Sequence, residues 1–218
     1  MTVFPLTNFS APARGRRSAV VALLSVFALL AGTPAGADAQ GDLTAAERAR
    51  LQRGELVTRP AQRRVGGQVT FGGTSYQVVR APLAEVWRAV TDPRRYADML
   101  PQVRSARQVA QSGPSRSVAL RHQRGPIDVR YVMNFLFERR SHTVLFTLDE
   151  TRHHDIRAGW GFIRLAARGA DQTLVSFGAM VGIDSGVVSV GMRPTLQEWL
   201  LKVPLTVKRY IDRQRSAA

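Results

Sequence analysis

The sequence predicts an α+β protein in which an antiparallel β-sheet packs against a long C-terminal helix. Between residues 102 and 183, apolar side chains recur with a period of two, and turn-forming residues interrupt them about every dozen positions. Beyond this region the period becomes helical, because apolar residues from Leu196 to Ile211 follow at steps of three, four and seven. A sheet with one apolar face and a helix with one apolar stripe are expected to bury these surfaces against each other.

Composition narrows the class of protein. The chain has 218 residues, 44% of them hydrophobic and 22% charged, which fits a globular protein and excludes general disorder or a polytopic membrane protein. Cysteine is absent, so disulfides, thiolate metal sites and cysteine nucleophiles are excluded. Lys and Arg total 31 against 16 acidic residues, but an arginine-rich and alanine-rich composition also follows from genome bias, so this charge alone does not indicate nucleic-acid binding.

The first 39 residues have the pattern of a secretory signal peptide. Arg14, Arg16 and Arg17 precede an apolar stretch that ends near Gly32, and small residues follow as in a cleavage site. We expect cleavage near Ala37 or Ala39, because the apolar stretch is shorter than the ~20 residues that span a bilayer. The mature protein is then periplasmic or secreted, which disfavours a nucleic-acid partner.

Residues 40–68 are predicted to form a short helix and an exposed connector. Thr44 and Glu47 have the spacing of a capping box, and Gly54 is placed to end the helix. The connector covers residues 58–67, which include Pro60 and several charged side chains. The main domain is expected over residues 69–215.

This domain begins with a strand containing Tyr76 and Val78, followed by two short helices. The first helix is expected from Pro82 to Thr91, and the second around Tyr96. Six strands follow, of which the clearest covers residues 127–137 and places its odd-numbered side chains on one face. Pro204 is expected to kink the C-terminal helix.

This order of elements resembles the helix-grip fold of the START-like superfamily, in particular the polyketide cyclase/dehydrase and lipid-transport group with its coenzyme Q-binding members. The residues that carry the resemblance are Ala81–Trp87, Thr91–Tyr96, Leu100-Pro101 and Gly159–Phe162. It covers about residues 69–213 and contains no catalytic signature. The resemblance implies a curved sheet of six to seven strands wrapped around the long C-terminal helix.

The resemblance also implies a cavity between sheet and helix that holds a lipid, an isoprenoid such as a quinone, or a polyketide-like molecule. Apolar and aromatic side chains usually line such sites. The alternative is that the same side chains pack a dry core. The candidate ligand-binding residues are Tyr131, Met133, Phe135, Phe146, Trp160, Phe162, Phe177, Trp199 and Val203.

Polar residues could add chemistry to such a cavity. His122, Asp128 and Glu138 lie on or beside the central strands and could serve as acids or bases, although alternation places the two carboxylates on the outer face. The run His153–Asp155 includes metal-ligand residue types, but adjacent residues of a strand point to opposite faces, so a polar turn is expected and no metal or other cofactor.

The arginines could bind peripherally to an anionic membrane surface, which would be a further partner. Alternatively, they are scattered over the surface and only increase solubility. The positions concerned are Arg94, Arg95, Arg104, Arg107, Arg139, Arg140, Arg209, Arg213 and Arg215. Three functions remain open from the sequence. The first is a non-enzymatic carrier of a hydrophobic small molecule, the second a cyclase or dehydratase that uses acid/base groups in the same cavity, and the third a scaffold with a closed core.

Overall fold

A computed structural model describes residues 43–65, 67–125, 127–183 and 192–217. The signal segment, Pro126 of one predicted turn, and the Ser185-Gly186 boundary before the C-terminal helix lie outside these residues.

The described chain contains eight strands and five α-helices, together with one short 3₁₀ turn (Pro93–Arg95). In chain order they are α1 (Ala45–Gln52), β1 (Val57–Val65), β2 (Gln68–Val79), α2 (Leu83–Val90), α3 (Tyr96–Met99), β3 (Val103–Ser112), β4 (Ser115–Arg124), β5 (Ile127–Glu138), β6 (Thr143–Leu148), β7 (Ala158–Ala167), β8 (Thr173–Gly182), α4 (Arg193–Leu201) and α5 (Val203–Ser216).

All eight strands form one antiparallel sheet in the order β1-β2-β8-β7-β6-β5-β4-β3. The six strands predicted between residues 102 and 183 are confirmed as β3 to β8. The sheet has eight strands instead of six to seven, because residues 57–65 form β1 and not an exposed connector. Sequence polarity was misleading there: β1 is an edge strand, where a proline such as Pro60 is tolerated and polar side chains remain in water.

Helix α1 covers part of the outer face of the sheet. Thr44 and Glu47 form the predicted capping box, and Gly54 ends the turn with a φ of 80°. Leu51 packs with Tyr76, Val78 and Leu174 in a small second core. Strands β2 and β8 therefore bury side chains on both of their faces.

The main core lies on the inner face, where α2, α3 and α5 contact the sheet. Val86 and Val90, four residues apart on one face of α2, are fully buried. Tyr96 is also buried, and its hydroxyl donates to the Val90 carbonyl at 2.9 Å. In this packing α2 lies beside β7 and α5, and α3 lies beside β3 and α5.

The predicted long C-terminal helix is broken into α4 and α5 at Lys202. Pro204 lies in the first turn of α5, where its missing N–H costs nothing, whereas the continuous helix would lose a hydrogen bond there. Both helices contact β2 and β8. Within the described part of the chain, no helix is long and apolar enough to cross a bilayer.

Candidate functional site

A cavity of about 180 Å³ lies between the inner face of the sheet and helix α4. Strands β2 and β4 to β8 contribute side chains to one wall, α4 and the start of α5 form the other, and α3 closes one side. Most of its lining is apolar. The apolar and aromatic side chains around it include Phe71, Met99, Leu120, Ile127, Val129, Tyr131, Met133, Phe135, Phe146, Ile156, Ile163, Phe177, Val181, Leu196, Trp199, Leu200 and Val203.

Strand alternation explains why β5 contributes so much of the wall. Its odd-numbered side chains from Ile127 to Phe135 all point inward, as the sequence pattern predicted. Phe146 of β6 lies over Gly161 of β7, where an added Cβ would come within 2.5 Å of the ring. Because Gly161 has no side chain, the Phe146 ring has room to pack over it on the cavity wall.

The cavity reaches the protein surface near the hairpin between β4 and β5. Gln123 and Arg124 are exposed and also line the cavity. The Arg124 guanidinium lies 4.5 Å from the centre of the Trp199 ring, a cation–π contact between the hairpin and α4. This contact lies at the opening.

A polar pair, His122 and Tyr131, interrupts the apolar wall. The Tyr131 hydroxyl lies 2.7 Å from His122 Nε2, and the two rings are nearly parallel with centres 5.5 Å apart. They lie on neighbouring strands, because His122 pairs with Val129 and Tyr131 pairs with Leu120. Both side chains line the cavity.

The hydrogen bonds of this pair indicate which ring nitrogen of His122 carries a proton and which way the Tyr131 hydroxyl donates. Burial lowers the pKa of His122 to about 4, so the imidazole is neutral at pH 7, although a backbone hydrogen bond with Pro101 opposes that shift. Proline has no N–H, so its carbonyl must accept from the ring. With Nε2 occupied by Tyr131, we assign this donor to Nδ1–H. Nε2 then accepts from the Tyr131 hydroxyl, whose pKa burial raises.

Seven of the nine candidate ligand-binding residues line the cavity: Tyr131, Met133, Phe135, Phe146, Phe177, Trp199 and Val203. Trp160 and Phe162 were expected to line the cavity as well, but neither does. In β7 the inward side chains are odd-numbered, such as Ile163, so the even-numbered aromatics lie on the outer face. Phe162 packs over Gly178 there.

The two carboxylates considered as acids or bases lie away from the cavity lining, on the outer face where alternation placed them. Asp128 accepts two hydrogen bonds from Arg121, at 2.8 and 2.5 Å, and this arginine lowers the pKa of the carboxyl. Glu138 is exposed and accepts from the Ser141 hydroxyl at 3.0 Å. Of the three candidates, only His122 faces the cavity.

The His153–Asp155 run forms a polar loop. His153 Nε2 lies 3.2 Å from Asp155 Oδ1, whereas His154 Nδ1 lies 2.7 Å from the Ile156 carbonyl. The other Asp155 oxygen accepts from the backbone N–H of Arg130 at 2.7 Å. Among the described residues, no three His, Asp or Glu side chains are grouped so as to hold a metal ion.

Several cavity residues were missed at the level of sequence. Phe71 lies on β2, where the alternation of Tyr76 and Val78 drew attention to the outer face. Leu196 and Leu200 were recognised only as part of the helical stripe, although that stripe is the signal that places them opposite the sheet.

Comparison with solved structures finds the same fold in several proteins of low sequence identity. The Zhui aromatase/cyclase from a Streptomyces strain matches with a TM-score of 0.55 and 13% identity, over 74% of this chain and 99% of that one. A START superfamily protein from Mycobacterium smegmatis matches with a TM-score of 0.54 and 13% identity, over 73% and 98%. A STAR-related lipid transfer protein from Xanthomonas axonopodis matches with a TM-score of 0.53 and 14% identity, over 71% and 93%.

At these identities the structural matches show the helix-grip fold alone. No curated protein matches the chain by sequence. The profile of one family does match, over residues 79–200, which is more than half of the chain and includes β3 to β8 and most of the cavity wall. The chain therefore belongs to the polyketide cyclase/dehydrase and lipid transport family.

Proposed function

We propose that the protein is an exported carrier that encloses a hydrophobic small molecule, such as a lipid, a quinone or another isoprenoid, or a polyketide-like compound. The observation that carries the proposal is the cavity lining, which is mostly apolar and includes no Asp or Glu among the described residues. Burying apolar ligand surface contributes about 25 cal/mol per Å² before the costs of ordering. The shared fold of the STAR-related lipid transfer protein from Xanthomonas axonopodis supports the same direction.

Fluorescence titration with N-phenyl-1-naphthylamine tests binding in the cavity. Phe146 and Phe162 form a matched pair, because each is partly buried over a glycine, one on the inner face and one on the outer face. We expect Phe146→Ser to raise the Kd of the probe by about tenfold, because the ring forms part of the wall. Phe162→Ser should leave the Kd within twofold, and circular dichroism should show that both variants are folded.

Two outcomes of this titration would contradict the carrier function. Absence of probe binding to the folded wild-type protein would remove the proposal, and so would an equal loss of affinity in both variants. Solvent extraction of the purified mature protein, followed by mass spectrometry, would identify the class of ligand that it carries from the cell.

One observation favours a second function, a cyclase or dehydratase. His122 faces the cavity, and an aromatase/cyclase shares the fold. Against this, both ring nitrogens are engaged and the lowered pKa makes the imidazole a weak base. Incubation with a linear poly-β-ketone thioester should give no product that has lost water. Product formation that is abolished by His122→Gln would establish the enzyme instead.

Export and membrane contact complete the proposal. We expect the N-terminus of protein recovered from the cell envelope to be Asp38 or Gln40, and full-length protein in the cytosol would contradict export.

Contact with membranes is supported by exposed arginines that have no acidic partner in the described part of the chain, namely Arg104, Arg107, Arg139, Arg140 and Arg209. Others are engaged, such as Arg94 and Arg95 with Asp92 and Arg215 with Glu85. We expect co-sedimentation with vesicles containing phosphatidylglycerol, loss of it at high salt, and none with phosphatidylcholine alone. Equal binding to both vesicles would contradict this contact.

A further inference from the structure

The polar pair in the cavity has one unused hydrogen-bonding position. With the tautomer assigned above, both nitrogens of the neutral His122 ring are engaged, Nδ1–H with the Pro101 carbonyl and Nε2 with the Tyr131 hydroxyl 2.7 Å away. The single proton of the Tyr131 hydroxyl is committed to His122. What remains is the capacity of the phenolic oxygen to accept a hydrogen bond.

This oxygen faces a region that offers few other partners. Around the pair, the cavity wall consists of Leu120, Val129 and Met133. Of the other polar side chains in the lining, Gln123 and Arg124 are exposed at the opening, and the Tyr96 hydroxyl already donates to the Val90 carbonyl. The remaining one, Gln102, is half-buried, and its backbone carbonyl accepts from the Gln123 N–H. A ligand atom placed beside Tyr131 would therefore meet an acceptor in an apolar environment, where an unpaired polar group is costly.

We propose that Tyr131 accepts a hydrogen bond from an alcohol group of the bound molecule, so that the cavity selects hydrophobic alcohols, such as isoprenoid or long-chain alcohols, over matched molecules whose oxygen can only accept. The inference rests on the proposed carrier function and names its ligand class. A ketone or ether oxygen would lie against the lone pairs of Tyr131 and would remain unpaired. His122 acts as a positioning residue, because its Nε2 holds the phenolic proton away from the ligand.

Competition between farnesol and its methyl ether tests this selectivity. Both compounds displace N-phenyl-1-naphthylamine from the cavity, but only the alcohol can donate. We expect the ratio of the ether Kd to the alcohol Kd to be about threefold to tenfold larger in the wild type than in Tyr131→Phe. Comparing ratios between the two proteins cancels the difference in hydrophobicity between the two compounds.

Three further variants sharpen the test. Tyr76→Phe is the matched control, because Tyr76 lies in the small outer core beneath α1, and it should keep the wild-type ratio. His122→Leu frees the phenolic proton for an ether oxygen, so the ratio should fall to that of Tyr131→Phe. His122→Gln keeps an acceptor for this proton and should restore most of the preference for the alcohol.

The possible failures are distinguishable. If both compounds displace the probe but the ratio is the same within twofold in the wild type and in Tyr131→Phe, the proposed hydrogen bond from the ligand to Tyr131 is refuted. The proposed carrier function is then unaffected. A larger ratio in Tyr131→Phe than in the wild type would also refute this hydrogen bond. If the probe itself does not bind the folded wild-type protein, the carrier function fails.

Discussion

The two halves of the inner face of the sheet differ in how completely they are filled. Against the middle of α5, Val79, Val175 and Val207 are fully buried, and none of the three lines the cavity. Against α4, Trp199 and Leu200 are only partly buried and line the cavity. The cavity therefore lies against α4 and the first turn of α5, whereas later residues of α5 pack tightly on the sheet and stabilise the fold.

Replacing two valines of α5, one beside the cavity and one in the tightly packed part, should give the largest contrast. Val207→Ala removes two methyl groups from a filled site and should lower the free energy of unfolding by about 2–3 kcal/mol. Val203→Ala makes the same change one turn earlier beside the existing cavity, and should cost about 1 kcal/mol. Urea denaturation measures both. Equal losses would show that the two halves are packed alike.

Low pH should lower the stability of the folded protein through His122, which lines the cavity. The folded-state pKa of about 4 lies below the ordinary value, so between pH 6.5 and 4 the unfolded chain binds a proton that the folded protein does not. Stability is therefore complete above pH 6.5 and falls as the pH approaches 4, by roughly 3 kcal/mol from this group. The free energy of unfolding should show this loss in the wild type and a smaller one in His122→Gln. The same pH dependence in both proteins would refute the assignment.

The smallest effect, on the Kd of the probe, is expected from substitutions on the outer face of the sheet. Asp128→Asn and Glu138→Gln change carboxylates that lie outside the cavity lining, so the Kd of N-phenyl-1-naphthylamine should remain within twofold of the wild-type value. A fluorescence titration at one pH is sufficient. A severalfold change in Kd would mean that these side chains reach the ligand.

Much of the fold could be predicted from the sequence, because the period-two and helical patterns are local and the turns between them contain recognisable residues. The missed strand β1 is at the edge of the sheet and carries polar side chains, and an edge strand does not need the apolar alternation that identifies inner strands. The covering helix α1 was expected, but its packing on Tyr76 and Val78 depends on long-range contact that no local pattern encodes.

The site was predictable only in part. For β5, an unbroken alternation identified the inward face, and five of its side chains line the cavity. For β7, the apolar pattern Trp160-Gly161-Phe162 concealed the true direction, because the glycine takes the inward position and the two large aromatics point outward. The pairing of His122 with Tyr131 required the register between β4 and β5.

The central claim, that the ligand binds on the inner face against α4, can be tested most directly with methionine methyl groups. Met99 and Met133 line the cavity, whereas Met180 pairs with Trp160 on the outer face. In protein labelled with ¹³C at the methionine methyls, farnesol should shift the NMR signals of Met99 and Met133 and leave that of Met180 unchanged. Shifts confined to Met180 would place the ligand on the outer face and contradict the account.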